Sequence, residues 1–576
     1  MQTAALKDEP YGELNLSGGS YNTFKSTLRF GTGLLAGKIA VDGRLSFIRS
    51  DGYIDRASSN LKSYFISAGY YGRTTTLKLI TWSGFEKTYQ AWEGVPKDSL
   101  STNRTFNPCG LYYDTVGNIQ YYNNQTDNYQ QDNYQILFSQ TLLKNWNLNL
   151  AVHYTKGKGY YESYKQDAEF TDYGLKDVVI GDSTITTTDL INRKMMDNDF
   201  CGMTFSTDYN MKDKHNLILG GAWNLYYGRH FGKIIWAEYA SNGDNDRNWY
   251  YNTGLKKDFN IFIKGNFEVI RNLHLFADIQ YRYVDYTMEG TADKPYGRVL
   301  DQKHPFNFFN PKAGIHYSFS DHHTAYFSFG IANREPSRNN YKDADSIHIP
   351  APERLYDYEL GYSFIIPAFT ASVNLYYMYY RDQLVLTGQI NNVGEAIMVN
   401  VPKSYRTGIE LSASVTFLKK LNWSVGATFS RNMIPDFTEY VDNWDTWTQD
   451  SAYLGETPLS FSPEILATSA LTYTPLNNLS FSLNSRYVGK QYIDNTGNEN
   501  RVLKGYFING LTASYSFKLR PFRTIGFNVT INNLFNSKYE TNAWVYRYIY
   551  QGKEEEYNGY FPQALTNFLV GVSIGI

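Results

Sequence analysis

The sequence predicts an all-β fold, an antiparallel transmembrane β-barrel of about 22 strands with short periplasmic turns and long extracellular loops. Three observations carry that prediction. Period-two apolar segments of roughly ten to fifteen residues recur along the chain up to its last residue. The connections between them alternate between tight turns and long, polar, aromatic-rich stretches. Aromatic residues make up 17% of the chain, with 52 Tyr and 35 Phe, and amphipathic rings suit both a membrane–water boundary and a binding loop.

The alternation is clearest at residues 524–535. Ile525, Phe527, Val529 and Ile531 share one face while Thr524, Gly526, Asn528, Thr530 and Asn532 share the other, so the two faces meet different solvents. In chain order the same reading gives strands near 11–19, 22–35, 38–50, 62–73 and 74–87, then 131–143, 146–162, 195–210, 215–231, 258–270 and 273–289. The second half supplies 307–319, 323–335, 354–365, 369–385, 403–417, 421–433, 463–475, 478–491, 505–517, 524–537 and 567–576. Lys25 and Arg29, Asp42 and Arg44, and Asn484 and Arg486 alternate with apolar neighbours in their strands. They are expected to point inward, because a Lys or Arg facing lipid at mid-bilayer costs about 2–4 kcal/mol. The final strand carries Phe568, Val570, Val572, Ile574 and Ile576 on one face to the carboxyl end.

Tight connections follow the even-numbered strands, as at Leu35-Ala36-Gly37-Lys38, Lys144-Asn145, Lys212-Asp213-Lys214, Arg271-Asn272, Ser320-Asp321-His322 and Leu476-Asn477-Asn478. Long ones follow odd-numbered strands, at 88–130, 163–194, 232–257, 434–462 and 538–566. All long loops therefore gather at one end of the sheet, which a soluble sandwich has no reason to do and an outer-membrane barrel does. An even strand count leaves both termini at the periplasmic end. A lumen this wide cannot be filled by wall side chains, so it is a pore or is plugged.

Composition narrows the function classes. Lys and Arg total 54 against 56 Asp and Glu, a formal net charge of -2, so no global footprint for nucleic acid exists. Mean hydropathy is -0.46 and no apolar run reaches the length of a transmembrane helix, which leaves a strand-built membrane protein open. No linker composition divides the chain, and one large sheet is expected. Neither G-x-S-x-G nor HExxH occurs, and no enzyme activity, cofactor or metal site is expected. Cys109 and Cys201 lack a metal-ligand spacing; both are expected toward the outer face, where they could pair as a disulfide. Asp244 and Asp246 lack the twelve-residue pattern of a calcium loop.

Two motifs carry a family resemblance. Ile531-Asn532-Asn533-Leu534-Phe535-Asn536-Ser537-Lys538-Tyr539 resembles the late-strand signature of the TonB-dependent outer-membrane receptors. Asn333-Arg334-Glu335-Pro336, then Pro352-Glu353 and Tyr358-Glu359-Leu360-Gly361-Tyr362, are similar to that family's mid-barrel region. The resemblance implies a receptor barrel that imports a scarce metal chelate such as a ferric siderophore, haem or cobalamin, with a plug domain and TonB as partners and outer-membrane lipid around it. Residues 1–10 are then expected to be the remnant of the plug-to-barrel connection, since Met1-Gln2-Thr3 resembles the end of a plug, and 11–576 the barrel. On this reading the chain lacks its plug and signal peptide. The alternatives are a passive outer-membrane pore and a glycan or peptide importer.

Candidate ligand contacts are the loop aromatics Trp236, Tyr239, Trp249, Tyr250, Trp444, Trp447, Trp544, Tyr546 and Tyr548, whose faces recognise ligands at low conformational cost. Packing of loop on loop is the competing role for each. Arg334 and Arg338 can clamp an anionic chelate or bridge loops. The resemblance places His348 where haem-receptor relatives carry an axial histidine, against the plainer reading of a loop histidine.

Overall fold

A sheet with one apolar and one polar face removes its exposed edges only by closing on itself. A computed structural model, which describes residues 7–211, 214–239, 248–344, 349–391 and 394–576, shows that closure as a 22-stranded antiparallel barrel. Met1 to Thr3, the Lys212-Asp213 turn, Asp244, Asp246 and His348 lie outside the described residues.

The first half of the wall comprises β1 (Tyr11–Gly19), β2 (Thr23–Gly31), β3 (Ile39–Ser50), β4 (Ser59–Tyr71), β5 (Thr75–Tyr89), β6 (Thr126–Leu143), β7 (Trp146–Glu169), β8 (Thr187–Met211), β9 (His215–Ala237), β10 (Asn248–Ile270) and β11 (Leu273–Gly290). The second half comprises β12 (Gln302–Ser320), β13 (His323–Arg334), β14 (Glu353–Ile366), β15 (Phe369–Ile390), β16 (Ala396–Phe417), β17 (Leu421–Asn443), β18 (Ile465–Leu476), β19 (Leu479–Val488), β20 (Tyr506–Leu519), β21 (Phe522–Asn532) and β22 (Asn567–Gly575). Each strand pairs with the next. The ring closes where β22 pairs with β1, from Glu13 opposite Gly575 to Gly19 opposite Leu569.

Register settles which face is which. Leu79, Ile136, Val152 and Met203 stand opposite one another on β5 to β8 and are about half exposed, forming an apolar outer belt of the kind a bilayer covers. Tyr134 stacks on Tyr154 at 6.3 Å on one rim of that belt, and Trp146 stands on the other. Lys25, Arg29, Asp42 and Arg44 take the opposite parity and face the lumen, where the Tyr11 hydroxyl donates to Asp42 at 2.9 Å and Arg29 approaches Glu13 at 3.9 Å. Short turns need left-handed backbone, and Ala36 and Gly37 supply it with φ of 49° and 69° beside the Leu35–Ile39 bridge.

Wall height is uneven. β1, β2 and β22 have 9 residues each, close to the 9–11 or so that cross a bilayer. β7, β8 and β17 have 24, 25 and 23 and extend well beyond the belt. The upper ends expected near 131, 195, 258 and 433 therefore fall short of the observed 126, 187, 248 and 443: above the belt both faces meet water, and the apolar alternation that marks a strand disappears while the ladder continues. The stretches 434–462 and 538–566, expected as loops, also hold a strand (Thr448–Pro458) and a hairpin (Glu540–Tyr550 with Lys553–Pro562).

Cys109 and Cys201, for which the sequence leaves a disulfide open, are two free thiols. Cys201 lies within β8 between Tyr154 and Leu225 on the outer face, whereas Cys109 is fully buried in the loop after β5, its N–H bonded to the Asn107 side chain. Burial, then the nearby Glu93 carboxylate, pushes the Cys109 thiol up to about 12, so it stays protonated and unreactive.

Candidate ligand site at the barrel mouth

Arg334 ends β13, and the next residue turns back into the lumen. Glu335 accepts hydrogen bonds from Lys256 at 2.5 Å and from both terminal nitrogens of Arg282 at 2.9 Å, while Arg282 also donates to Asp258. Burial alone would raise the Glu335 carboxyl; the bonds from Lys256 and Arg282 outweigh it and hold the group below its usual value of 4.5. The carboxylate so anchored fixes the start of α1 (Arg338–Asp343). Ser337 caps that helix through a capping box, its hydroxyl accepting from the Asn340 N–H and the Asn340 side chain accepting from the Ser337 N–H. Tyr341 then stacks on His304 of β12 at 3.9 Å and packs with Tyr286 and Met288. A helix this short is held by these contacts, not by propensity.

α1 and the upper ends of β5 to β10 enclose a cavity of about 260 Å³. Glu86 on β5 and Asp127 on β6 line one side, in register with Tyr129 and Tyr161, and His230 on β9, Tyr250 on β10 and Arg338 line the other. Lys194 and Lys342 also reach it, but Asp293 neutralises them at 2.6 and 3.8 Å, with Asp343 a further 2.7 Å partner of Lys342. Arg338 has no carboxylate partner among the described residues: it donates to Asn252 and Asn339 side chains, and its Nε is buried with no partner. The His230 Nε2 is likewise buried and unpaired. A second cavity of about 290 Å³ shares Tyr161, Lys194 and Asp293 with the first and continues to Trp92, Lys165 and Trp249. The larger hollow, about 750 Å³ along β16 to β21, is lined mainly by Ser, Thr, Asn and Gly, with Arg486 as the charged and Tyr539 as the aromatic side chain among its lining residues; it offers a small ligand fewer aromatic and cationic contacts than the mouth cavity does.

The candidates read from sequence divide. Tyr250 and Arg338 meet in the mouth cavity, and Trp249 stands beside them at 5.1 Å from the Tyr250 ring. Arg334 pairs with Glu353 at 2.8 Å. Trp444, Tyr546 and Tyr548 pack on one another, with 4.1 Å between the Trp444 and Tyr548 rings, and the Trp544 N–H donates to the Glu93 carbonyl. Trp447 sits at a hairpin turn, 87% exposed; Trp236 lies opposite Ile191 in the upper wall; Tyr239 is bonded through its backbone to Thr188. Sequence reading did not single out Glu86, Asp127, Tyr129, Tyr161 and His230. They share lumenal parity with polar residues lower on the same strands, and extending the strand parity beyond the belt would have found them.

The TonB dependent receptor-like β-barrel description matches residues 69–534. The chain belongs to this family. The TonB-dependent receptor barrel is similar in fold to the ferric-catecholate import receptor Fiu of E. coli K12 in its closed form, with a TM-score of 0.73 at 14% identity, covering 100% of this chain and 83% of that one. The ferric citrate transporter FecA gives 0.73 at 14% identity with 100% and 80% covered. The siderophore receptor PiuA of Acinetobacter baumannii gives 0.72 at 14% with 100% and 82%. No curated protein sequence matches the chain. Family and neighbours are receptors and transporters, and no helix among the described residues is long and apolar enough to cross a membrane.

Proposed function

We propose that this TonB-dependent receptor barrel sits in the outer membrane and takes up a scarce metal chelate of the ferric siderophore class, bound first in the cavity at the barrel mouth. In this reading residues 11–576 are the barrel, residues 1–10 hand over from a plug that gates the lumen, and TonB supplies the energy. The observation that carries the substrate class is Arg338: a guanidinium fixed by a capped helix, without a carboxylate partner among the described residues, in one cavity with Tyr129, Tyr161 and Tyr250. A planar cation of that kind holds anionic oxygens, and flat rings hold the aromatic or delocalised rim of a chelate. The similarity in fold to the ferric-catecholate import receptor Fiu and the ferric citrate transporter FecA supports the same class. The test is quenching of intrinsic tryptophan fluorescence in the detergent-purified chain by ferric citrate, a ferric tris-catecholate and a ferric trihydroxamate, each against its iron-free form. Saturable, iron-dependent binding is expected for at least one chelate, weakened about tenfold or more by Arg338→Ala, the loss of one hydrogen bond to a charged group. Absence of saturable binding to all three would overturn the reading.

A further inference from the structure

The charges in the mouth cavity are separated, not mixed. Glu86 on β5 and Asp127 on β6 lie diagonally across one strand pair, where the register sets Glu86 against Tyr129 and Thr88 against Asp127. Both carboxylates line the cavity, and among the described residues neither makes an ion pair or a side-chain hydrogen bond. Every other acid there has a partner: Asp293 takes Lys194 and Lys342, and Glu395 accepts from Asn339 and Asn391. At the far side Arg338 is the mirror case, a cation without an acid. On the same side as Arg338 stands Tyr250, 7% exposed, lining the cavity with a hydroxyl that has no hydrogen-bond partner among the described residues. Two adjacent half-buried carboxylates repel and lose hydration, so an arrangement of this kind is stable when something positive occupies the space between them. Among the described residues no cation pairs with either carboxylate, although Arg338 is in the same cavity.

We infer that the ligand is amphoteric: a chelate whose anionic oxygens meet Arg338 and the Tyr250 hydroxyl while a protonated amine on the same molecule meets Glu86 and Asp127. This rests on the proposed uptake of a metal chelate and narrows it to amine-bearing members of that class. A free metal cation would satisfy the carboxylates alone but leave Arg338 and Tyr250 without a role, and it is one arm of the test.

The experiment uses matched pairs of ferric chelates on the intact chain, each with a free amine and in N-acetylated form: ferrioxamine B and N-acetylferrioxamine B for hydroxamates, and the ferric complexes of 2,3-dihydroxybenzoyl-lysine and its N-acetyl derivative for catecholates. For whichever core binds, the free-amine form is expected to bind roughly tenfold tighter, the worth of a hydrogen bond to a charged group. In the Glu86→Gln, Asp127→Asn double variant the two forms should bind alike, with retention of the heat-modifiable folded band on a gel showing that the barrel has formed; Glu86→Asp alone keeps the charge and should keep part of the preference. If free-amine and acetylated forms bind within twofold of each other on a core that binds, the inference fails while chelate uptake stands. If no core binds, the uptake reading fails and the inference with it. Calcium or ferric ion alone, titrated without chelator, should not bind; saturable binding of either to the native chain that the double variant loses would replace the amine with a metal ion and overturn the inference.

Discussion

Glu335 shows how one residue does two jobs at the mouth. Its side chain pairs Lys256 and Arg282 inside the lumen and, in the same act, pins the segment that presents Arg338. Removing its charge would leave both cations with one fewer partner and free the segment, so Glu335→Gln is expected to loosen residues 335–344 locally by about 2 kcal/mol, below the full loss for a buried pair because Lys256 is partly solvated. Amide hydrogen exchange in that segment should accelerate roughly thirtyfold, with the rest of the wall unchanged. The pH dependence has a definite sign. Since the folded value lies below the usual 4.5, the stabilisation is complete above 4.5 and is lost as pH falls through the lowered folded value. Protection of 335–344 should thus be flat from neutral pH down to about 4.5 and fall below it, and the glutamine variant should lack that fall.

At the scale of elements, α1 is six residues long and depends on its cap. Ser337→Ala removes the acceptor for the Asn340 N–H and should destabilise the turn by about 1 kcal/mol; Ser337→Asn or Ser337→Asp, which cap equally well, should restore it. The measurable outcome is a chelate affinity lowered about fivefold by alanine and recovered by either capping residue, with the purified barrel equally folded in all three. This element was not legible in the sequence. Arg334-Glu335-Pro336 was recognised as a motif, but a single helical turn gives no period to read, and which lumenal cations Glu335 would meet depends on strands 50 to 80 residues earlier in the chain. Strand existence was legible for all 22, because an apolar outer belt imposes alternation on every wall segment that crosses it. Strand length was not, because Thr126 to Asp132 and Thr187 to Arg193 stand above the belt, where nothing penalises a polar residue on the outer face. For the same reason the loop aromatics were visible as candidates but not as a set: Trp444, Tyr546 and Tyr548 satisfy one another, and only Tyr250 and Arg338 were both singled out and brought together in the mouth cavity.

The whole molecule is governed by two solvents separated by one strand thickness, and that makes a paired prediction. Val152 is 55% exposed on the outer face of β7, opposite Ile136 and Met203 and between Trp146 and Tyr154 at the rims. Ala151, its neighbour, turns to the lumen with the parity of His153, whose Nε2 meets Asn224 across β8. In a bilayer Val152→Lys places an ammonium in hydrocarbon one same-face position below the Tyr154 rim and should reduce unfolding free energy by about 1–3 kcal/mol, between the midplane and interface costs, with part of the penalty relieved by the side chain reaching for the rim. Ala151→Lys adds the same charge one residue away but into the lumen, and should cost less than about 1 kcal/mol. Reversible denaturation in vesicles, followed by tryptophan fluorescence, measures both. The difference between the two variants is the informative quantity, since strand propensity, entropy and insertion kinetics are nearly common to them. Equal costs would mean that the outer belt does not face lipid, and a larger cost for Ala151→Lys would reverse the assignment of inside and outside on which the mouth cavity depends.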